Sequence, residues 1–267
     1  MKTLTILILL FNFFTFSVNA KVDFEKPFKD CNLEGSITIY DYNKKEWIVS
    51  NEKDSYKETL PASTFKIINF LIALESKVIK DENDIIKWVG EVDESIYGHR
   101  PEIYHDITIK EAFEVSAVWV FIELAKKIGK KNYLSYLKKS HYGNMNLSAK
   151  GDDFWNLGSF AISPHNQVTF LVDFYEYKLP FSKRNIDIVK KVMINTKNDN
   201  FILRAKTGWT NPELEDIGWW VGYVEKKDNL YFFSTRLTKK RSTINKNFGD
   251  CRKSITTKIL KDMKILN

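Results

Sequence analysis

Residues 61–74 read PASTFKIINFLIAL, a run in which apolar side chains occupy nearly every position from Thr64 to Leu74. A surface helix keeps a polar face, whereas a helix that is apolar on all sides is buried on all sides. The pattern therefore predicts a central helix around which the other elements pack. Ser63 lies at the start of this helix, and Lys66 lies on the same face about one turn further on.

The segments on either side of this helix alternate between apolar and polar residues, as half-buried strands do. The predicted strands span residues 36–40, 46–50, 201–206, 217–224 and 230–237. Apolar residues at spacings of three and four predict helices over 107–115, 119–128 and 130–138, with a final helix from Lys253.

These elements predict an α+β fold with one five-stranded antiparallel sheet assembled from both ends of the chain. The sheet subdomain would comprise about residues 21–60 and 198–267, and a helical subdomain of about residues 61–197 would be inserted between them. We predict that residues 21–267 form a single catalytic domain, because this length suits one substantial core rather than a string of modules.

The composition is typical of a folded chain. Hydrophobic residues make up 43% and charged residues 28%, with 11 Gly and 6 Pro, which excludes collagen-like, low-complexity and wholly disordered proteins. The net charge is +7, but the basic residues are spread as pairs on helix-like segments, as on solvated helix faces. Because no nucleic-acid-binding signature accompanies the charge, we predict no nucleic-acid partner.

The first twenty residues predict export. Lys2 supplies a positive start, Leu4–Phe16 is almost unbroken apolar sequence, and residues 18–20 form a small-residue cleavage site, as in a secretory signal peptide. A membrane anchor would need about 20 apolar residues, and this run is shorter and interrupted by Asn12. We therefore expect a bacterial periplasmic protein that has no membrane contact once the leader is cleaved.

Two short motifs carry the chemistry, Ser-x-x-Lys at residues 63–66 and Lys-Thr-Gly at residues 206–208. Serine is a useful nucleophile only with a base in hydrogen-bond reach, and lysine can be that base if burial destabilises its ammonium form. Each motif alone is weak, and Ser63 could simply cap the helix. Together and in this order they match the pattern of penicillin-interacting serine acyltransferases.

Further motifs lie around and between these two, and the full set is Pro61–Lys66, Ser116–Val118, Tyr142–Asn144, Phe154–Trp155, Lys206–Gly208, Gly218–Gly222 and Arg252–Ile255. An apolar residue stands at position 117, whereas class A enzymes carry the polar S-D-N motif in this region. With these motifs, the sequence resembles the class D, oxacillinase-type, serine β-lactamases over essentially the whole mature chain. The resemblance implies an α/β/α sandwich of the penicillin-binding-protein type, β-lactam substrates and a role in antibiotic resistance.

The resemblance also implies the catalytic residues. Ser63 would be the nucleophile, Lys66 modified to N6-carboxylysine the general base, and Ser116 with Lys206 the relay that protonates the leaving nitrogen. An amine kept neutral by an apolar pocket can add carbon dioxide, and the resulting carbamate accepts protons. Val118 would form part of the dry wall. Carbon dioxide or bicarbonate would then be required, and no other cofactor.

A further group of residues would bind the substrate or shape its pocket: Val118, Trp155, Thr207, Gly208, Trp209 and Arg252. The resemblance implies that the backbone N–H groups of Ser63 and Trp209 hold the oxyanion. Arg252 and Thr207 would bind the substrate carboxylate, because a guanidinium fork matches that group. The indole N–H of Trp155 would hold the carbamate, although an ordinary core aromatic is the alternative.

Three positions depart from the commonest pattern of the family. Ile68 and Trp119 stand where proline is usual, and Asn156 stands where an apolar residue usually follows the tryptophan. If the amide of Asn156 faces the carbamate, it changes the polarity of the pocket; an outward-pointing side chain is the alternative. These departures bear on substrate range and rate rather than on the reaction class.

The remaining titratable residues offer no metal site. None of the histidines has the spacing of metal ligands, and the four are His99, His105, His141 and His165.

Cys31 and Cys251 would meet an oxidising compartment after export. A disulfide between them is possible if the first and last strands pair, and two free, buried thiols are the alternative.

Two other functions share these motifs. One is a penicillin-sensing domain that is acylated without turnover, and the other is a cell-wall DD-peptidase. A sensor normally needs a membrane-spanning transducer, and the sequence has no apolar span after the leader. Neither the oligomeric state nor the preference among penicillins, oxacillin, cephalosporins and carbapenems follows from the sequence.

Overall fold

The computed structural model describes residues 22–266, so the predicted signal peptide at residues 1–20 lies outside the described residues and stays a prediction. The helices are α1 (Lys26–Asp30), α2 (Glu52–Ser55), α3 (Lys66–Glu75), α4 (Glu94–Tyr97), α5 (Ile109–Glu114), α6 (Val118–Ile128), α7 (Lys130–Lys139), α8 (Pro164–Tyr175), α9 (Lys183–Val192) and α10 (Phe248–Asp262). Two 3₁₀ turns span Ala62–Phe65 and Pro101–Ile103. The strands are β1 (Glu34–Asp41), β2 (Glu46–Val49), β3 (Ile85–Ile86), β4 (Ile107–Thr108), β5 (Ile194–Lys197), β6 (Phe201–Thr210), β7 (Glu215–Lys226) and β8 (Leu230–Lys240).

One antiparallel sheet joins the two ends of the chain. Its strand order is β2-β1-β8-β7-β6-β5, while β3 and β4 form a separate two-stranded ladder. β1 pairs with β8 from Glu34 opposite Thr238 to Asp41 opposite Tyr231. The α+β fold class predicted from the sequence is confirmed, with the helical segments inserted between the strands from the two ends.

The predicted number of five strands is wrong, because the sheet has a sixth strand. β5 lies within residues 61–197, which were assigned to the helical subdomain, and it pairs only with β6 at the sheet edge. All four of its residues are exposed. A strand that buries neither face shows no alternation of apolar and polar residues, so its sequence carries no strand signal.

Different layers cover the two faces of the sheet. Trp220 and Val224 of β7 belong to the core beneath α10, together with buried residues near α1. Trp219, Val221 and Tyr223 of the same strand belong to the larger core beneath the helical layer. Successive residues of a strand point to opposite faces, so a single strand contributes to both cores of a helix–sheet–helix sandwich.

α3 is the central helix that the sequence predicts. Every residue from Lys66 to Leu74 is buried. Ser63 is not part of the α-helix itself but lies in the 3₁₀ turn that leads into it. The nucleophile candidate and the first helical residue are thus joined by one tight turn, which fixes the distance between their side chains.

The last helix starts earlier than predicted. α10 begins at Phe248 rather than at Lys253, so that Arg252 lies in its second turn. Gly249 has a low helix propensity and conceals the helical character of this segment in the sequence. Buried Phe248 and Cys251 nevertheless extend the apolar stripe of the helix towards its start. Within residues 22–266, none of the helices has the length and apolar character needed to cross a membrane.

Candidate active site

The turn that carries Ser63 is held in an unusual backbone conformation. Ala62 has φ of +51°, in the left-handed region, and is fully buried. Its backbone N–H donates to the carbonyl oxygen of Trp155 at 3.1 Å. Non-glycine residues in this region are uncommon and persist where surrounding contacts hold them, often at functional sites. The turn leaves Ser63 half-buried at the rim of the central helix.

Lys66 is in direct contact with the serine. Its Nζ donates a hydrogen bond to Ser63 Oγ at 2.8 Å, and its side chain is fully buried. Burial lowers the pKa of Lys66 to about 7, and the positive charge of Arg100 acts in the same direction. The ring of Phe121, whose centroid lies 5.1 Å from Nζ, forms part of the apolar surroundings. A substantial fraction of this amine is therefore neutral near neutral pH.

A second lysine–serine pair lies near the first. Lys206 Nζ donates to Ser116 Oγ at 2.6 Å and to the carbonyl oxygen of Thr207 at 3.2 Å. Burial lowers the pKa of Lys206 well below its usual range, and nearby positive charges, that of Lys66 foremost, lower it further. Ser116 has φ of +62°, so both serines of the site are presented by strained backbone.

The end of β6 approaches the serine turn closely at Gly208. A Cβ atom at this position would lie 2.9 Å from the carbonyl oxygen of Pro61 and 3.1 Å from the methyl carbon of Thr64. Only a glycine fits between the strand and the turn without displacing one of them. Because side chains alternate along β6, Lys206 then points towards the helical layer and Thr207 towards α10.

Arg252 lies beside Thr207 on the α10 side of the strand. Its Nη1 donates to the carbonyl oxygen of Gly208 at 2.9 Å, and its Nε donates to the carbonyl oxygen of Gly249 at 2.8 Å. Burial lowers the pKa of Arg252 to about 10, which leaves the guanidinium charged at neutral pH. Trp209, about half exposed, lies beneath the guanidinium, 5.6 Å from ring centroid to Cζ.

Trp155 forms the floor of the site. It is fully buried and stacks on Phe65 with ring centroids 5.0 Å apart. Its indole Nε1, a donor, has no hydrogen-bond partner among the described residues. Val118, at the start of α6, is half-buried and lies two residues after Ser116. An indole N–H that is buried without a partner is costly, so an acceptor at this point would be stabilised.

The three departures from the family pattern have different structural settings. Ile68 is an ordinary buried residue of α3. Trp119 is also buried, and its indole N–H donates to the carbonyl oxygen of Ile103 at 2.8 Å, which ties α6 to the 3₁₀ turn. Asn156 is only 7% exposed, so it does not point out into solvent. Its Nδ2 is a second buried donor that lacks a partner among residues 22–266.

Arg100 is a residue of the site for which the sequence offers no signal. Its Nη2 donates to the carbonyl oxygen of Val115 at 3.1 Å, next to Ser116, and its Nε donates to Glu102 at 2.9 Å. Its charge lowers the pKa of both Lys66 and Lys206. Arg100 belongs to none of the motifs, and only the folded loop brings it near them.

Among the described residues, no three or more His, Cys, Asp or Glu side chains are grouped closely enough to hold a metal ion. Cys31 and Cys251 form a disulfide with a Cα–Cα distance of 6.2 Å. The bridge joins the end of α1 to the first turns of α10, next to Arg252. Of the two alternatives for these cysteines, the structure thus contains the bonded one.

Comparisons with known proteins give the family of this chain. Residues 35–261 match the family model of the penicillin-binding protein transpeptidase domain. β-Lactamase OXA-10 of Pseudomonas aeruginosa is 36% identical over 253 residues, covering 94% of this chain and 92% of that protein. β-Lactamase OXA-48 of Klebsiella pneumoniae is 36% identical over 239 residues, covering 90% of this chain and 87% of that protein.

A solved structure is similar over nearly the same range. The crystal structure of a class D β-lactamase from Sebaldella termitidis has a TM-score of 0.86 and 42% identity, covering 93% of this chain and 98% of that one. The fold and the two lysine–serine pairs define an enzyme class, the penicillin-interacting serine enzymes built on the transpeptidase domain. Within that class, this chain belongs to the class D β-lactamases.

Proposed function

We propose that the protein hydrolyses the β-lactam amide of penicillin-type antibiotics through an ester on Ser63, and thereby confers resistance to them. The observation that carries the proposal is the pair of hydrogen bonds from Lys66 to Ser63 at 2.8 Å and from Lys206 to Ser116 at 2.6 Å. Each serine has a buried lysine in hydrogen-bond reach, as proton transfer to and from a hydroxyl requires.

Acylation begins at Ser63. Its Oγ forms a bond to the β-lactam carbonyl carbon while its proton passes to the base on Lys66, and the C–N bond of the ring then breaks. The backbone N–H groups of Ser63 and Trp209 are the proposed donors to the oxyanion. The leaving nitrogen takes a proton from Ser116, which recovers one through Lys206.

Lys66 is proposed to act as an N-carboxylysine. When bound to this amine, carbon dioxide would supply an anionic acceptor for the proton of Ser63 and later for that of the hydrolytic water. Two observations support the fit: the pKa of Lys66 is lowered to about 7 by burial, and the buried Nε1 of Trp155 lacks an acceptor. A neutral amine is needed for the modification, and the indole N–H would stabilise its product.

The modification of Lys66 would also prepare Lys206 for its role. The positive charge of Lys66 is one of the groups that lowers the pKa of Lys206. Replacing that charge with a negative one reverses its effect, so Lys206 would hold a proton more readily. An ammonium at Lys206 can then replace the proton that Ser116 gives to the leaving nitrogen. The two lysines therefore have complementary protonation states during acylation.

The carboxylate of the substrate is proposed to bind at Arg252 and Thr207. The guanidinium is charged and lies on the same side of β6 as Thr207, because it packs over the ring of Trp209, two residues further along that strand. A planar fork of donors beside a hydroxyl suits a carboxylate. This contact would orient the β-lactam ring with its carbonyl carbon over Ser63.

We further propose that the mature protein is exported to a bacterial periplasm. The positive start and apolar segment of residues 1–20 support this location. The disulfide between Cys31 and Cys251 gives independent support, because structural disulfides persist in oxidising compartments.

Hydrolysis by the purified mature protein tests the proposal. We expect steady-state turnover of benzylpenicillin and of a chromogenic cephalosporin, and a penicillin adduct on the peptide containing Ser63 in a rapidly quenched reaction analysed by mass spectrometry. Ser63→Ala should lose both, since no hydroxyl remains to form the ester. Thr64→Ser, which leaves Ser63 in place, is the matched control.

Other outcomes would contradict the proposal in different ways. A stoichiometric adduct without turnover would indicate a penicillin sensor or a DD-peptidase. An adduct that persists on Ser63→Ala would exclude Ser63 as the nucleophile.

A further inference from the structure

Two buried hydrogen-bond donors stand next to each other in the sequence without partners. Trp155 is fully buried and Asn156 is 7% exposed. Neither Trp155 Nε1 nor Asn156 Nδ2 meets an acceptor among the described residues. Buried polar groups in native proteins almost always have a partner, so each of these two donors needs an acceptor that the described residues do not supply.

Backbone contacts fix these residues against the reacting groups. The carbonyl oxygen of Trp155 accepts from the N–H of Ala62, the residue before Ser63, at 3.1 Å. The carbonyl oxygen of Asn156 accepts from Thr210 Oγ1 at 2.9 Å. The pair is thus held between the end of β6 and the turn that carries Ser63, to which Lys66 Nζ donates.

The unmodified side chain of Lys66 is a poor partner for these donors. Its ammonium form has three N–H donors and no acceptor, and its Nζ already donates to Ser63 Oγ at 2.8 Å. Addition of carbon dioxide changes this. The lone pair of the neutral nitrogen forms a bond to carbon, one C=O electron pair moves onto oxygen, and nitrogen releases one proton to solvent. The product presents two oxygens that accept hydrogen bonds.

We propose that Asn156 is a positioning residue of the active site, whose amide N–H donates to one oxygen of the carbamate on Lys66 while the indole N–H of Trp155 donates to the same group. This inference rests on the carbamate of the proposed function. An apolar residue, which is usual at this position in the family, offers no such donor. Asn156 therefore makes the modified lysine of this chain more persistent at low carbon dioxide.

The extent of carbamylation tests this inference without reference to catalysis. Degassed protein is titrated with ¹³C-bicarbonate at constant pH, and the carbamate carbon is observed by NMR. In Asn156→Leu, we expect the bicarbonate concentration for half-maximal signal to rise about tenfold, because a hydrogen bond to a charged acceptor is lost. Asn146→Leu, an exposed change of the same type in the preceding loop, should titrate as the wild type does.

A second variant keeps the test valid if Asn156→Leu folds poorly. Asn156→Asp has the same size but places an anion beside the carbamate, so its half-maximal concentration should exceed that of Asn156→Leu. Trp155→Phe removes the neighbouring N–H and serves as the comparator for the loss of one donor.

The melting temperature separates this role from a structural one. In degassed buffer, Asn156→Leu should melt at no lower temperature than the wild type, since it removes a buried donor that lacks a partner there. A structural role for the amide would instead lower the melting temperature.

Three results would overturn the inference. One is a titration of Asn156→Leu that superimposes on that of the wild type, and another is a tighter response to bicarbonate in Asn156→Asp. The third is the lack of a carbamate signal in the wild type, which also removes the carbamate from the proposed function but leaves the adduct on Ser63 as a separate test of acylation.

Discussion

The side chain of Lys66 changes its charge within the pH range of ordinary assays, because burial lowers its pKa to about 7. Below that pH the amine is protonated and has no lone pair for carbon dioxide. We therefore predict that kcat falls as the pH decreases through about 7, and that added bicarbonate restores activity by mass action. Steady-state rates at pH 6 and pH 8, with and without bicarbonate, measure this. Turnover that is indifferent to bicarbonate at both values would show that the unmodified lysine is the base.

Arg100 should shift this pH dependence. Its positive charge lowers the pKa of Lys66, so Arg100→Gln raises that pKa and moves the acidic limb of the profile to higher pH. Arg100→Lys keeps the charge and should leave the limb near its wild-type position. A limb that is identical in the Gln and Lys variants would argue that Arg100 acts only through its hydrogen bond to Val115.

At this scale, the sequence predicts the residues that belong to short motifs. Ser63 and Lys66 are separated by a single turn, so local geometry brings them together wherever the helix lies. The contact of Lys206 with Ser116 spans 90 positions, and the family pattern rather than local geometry predicted it. Arg100 is predicted neither by local spacing nor by the family pattern, because its position depends on how the loop before Ser116 folds.

The two faces of β6 carry different groups of the site. Lys206 lies on the face towards the helical layer, and Thr207 lies on the other face, where Arg252 of α10 is its neighbour. We predict that Arg252→Ala raises KM for carboxylate-bearing substrates by roughly ten- to a hundredfold, as expected for the loss of a charge-assisted hydrogen bond, with a smaller change in kcat. Lys258→Ala, an exposed change on the same helix, is the control. Steady-state kinetics with benzylpenicillin measure both values, and an unchanged KM would refute this role of Arg252.

The sequence predicts best those helices and strands that bury the most apolar surface. α3 and the strands β6, β7 and β8 bury apolar residues, and each appears near its predicted place. β5 buries nothing and was missed. The start of α10 was misplaced, because Gly249 weakens the local helical pattern while the buried Phe248 and Cys251 stabilise it through tertiary contacts.

Across the whole molecule, the disulfide connects residues 31 and 251, which are 220 positions apart in the sequence. Bridging so distant residues restricts the unfolded chain strongly, so we predict that Cys31→Ser lowers the free energy of unfolding by about 2–5 kcal/mol. Denaturant unfolding of the variant and of the wild type, each with and without reductant, measures this.

Thiol labelling is a second test of the disulfide. The denatured, unreduced wild type should contain no reactive cysteine. Two reactive thiols, or equal stability of the variant and the wild type, would contradict the disulfide.

The pairing of β1 with β8 also governs how the molecule folds. β8 is the neighbour of both β1 and β7, and it is made of residues 230–240, close to the end of the chain. Until these residues are synthesised, β1 has only the short β2 beside it, and an incomplete sheet exposes unpaired strand edges. Closing such a long loop delays folding, because its entropic cost precedes the contacts that offset it. The sheet therefore cannot close until the chain has been synthesised through residue 240, and until then the edge of β1 that β8 later covers has no partner strand.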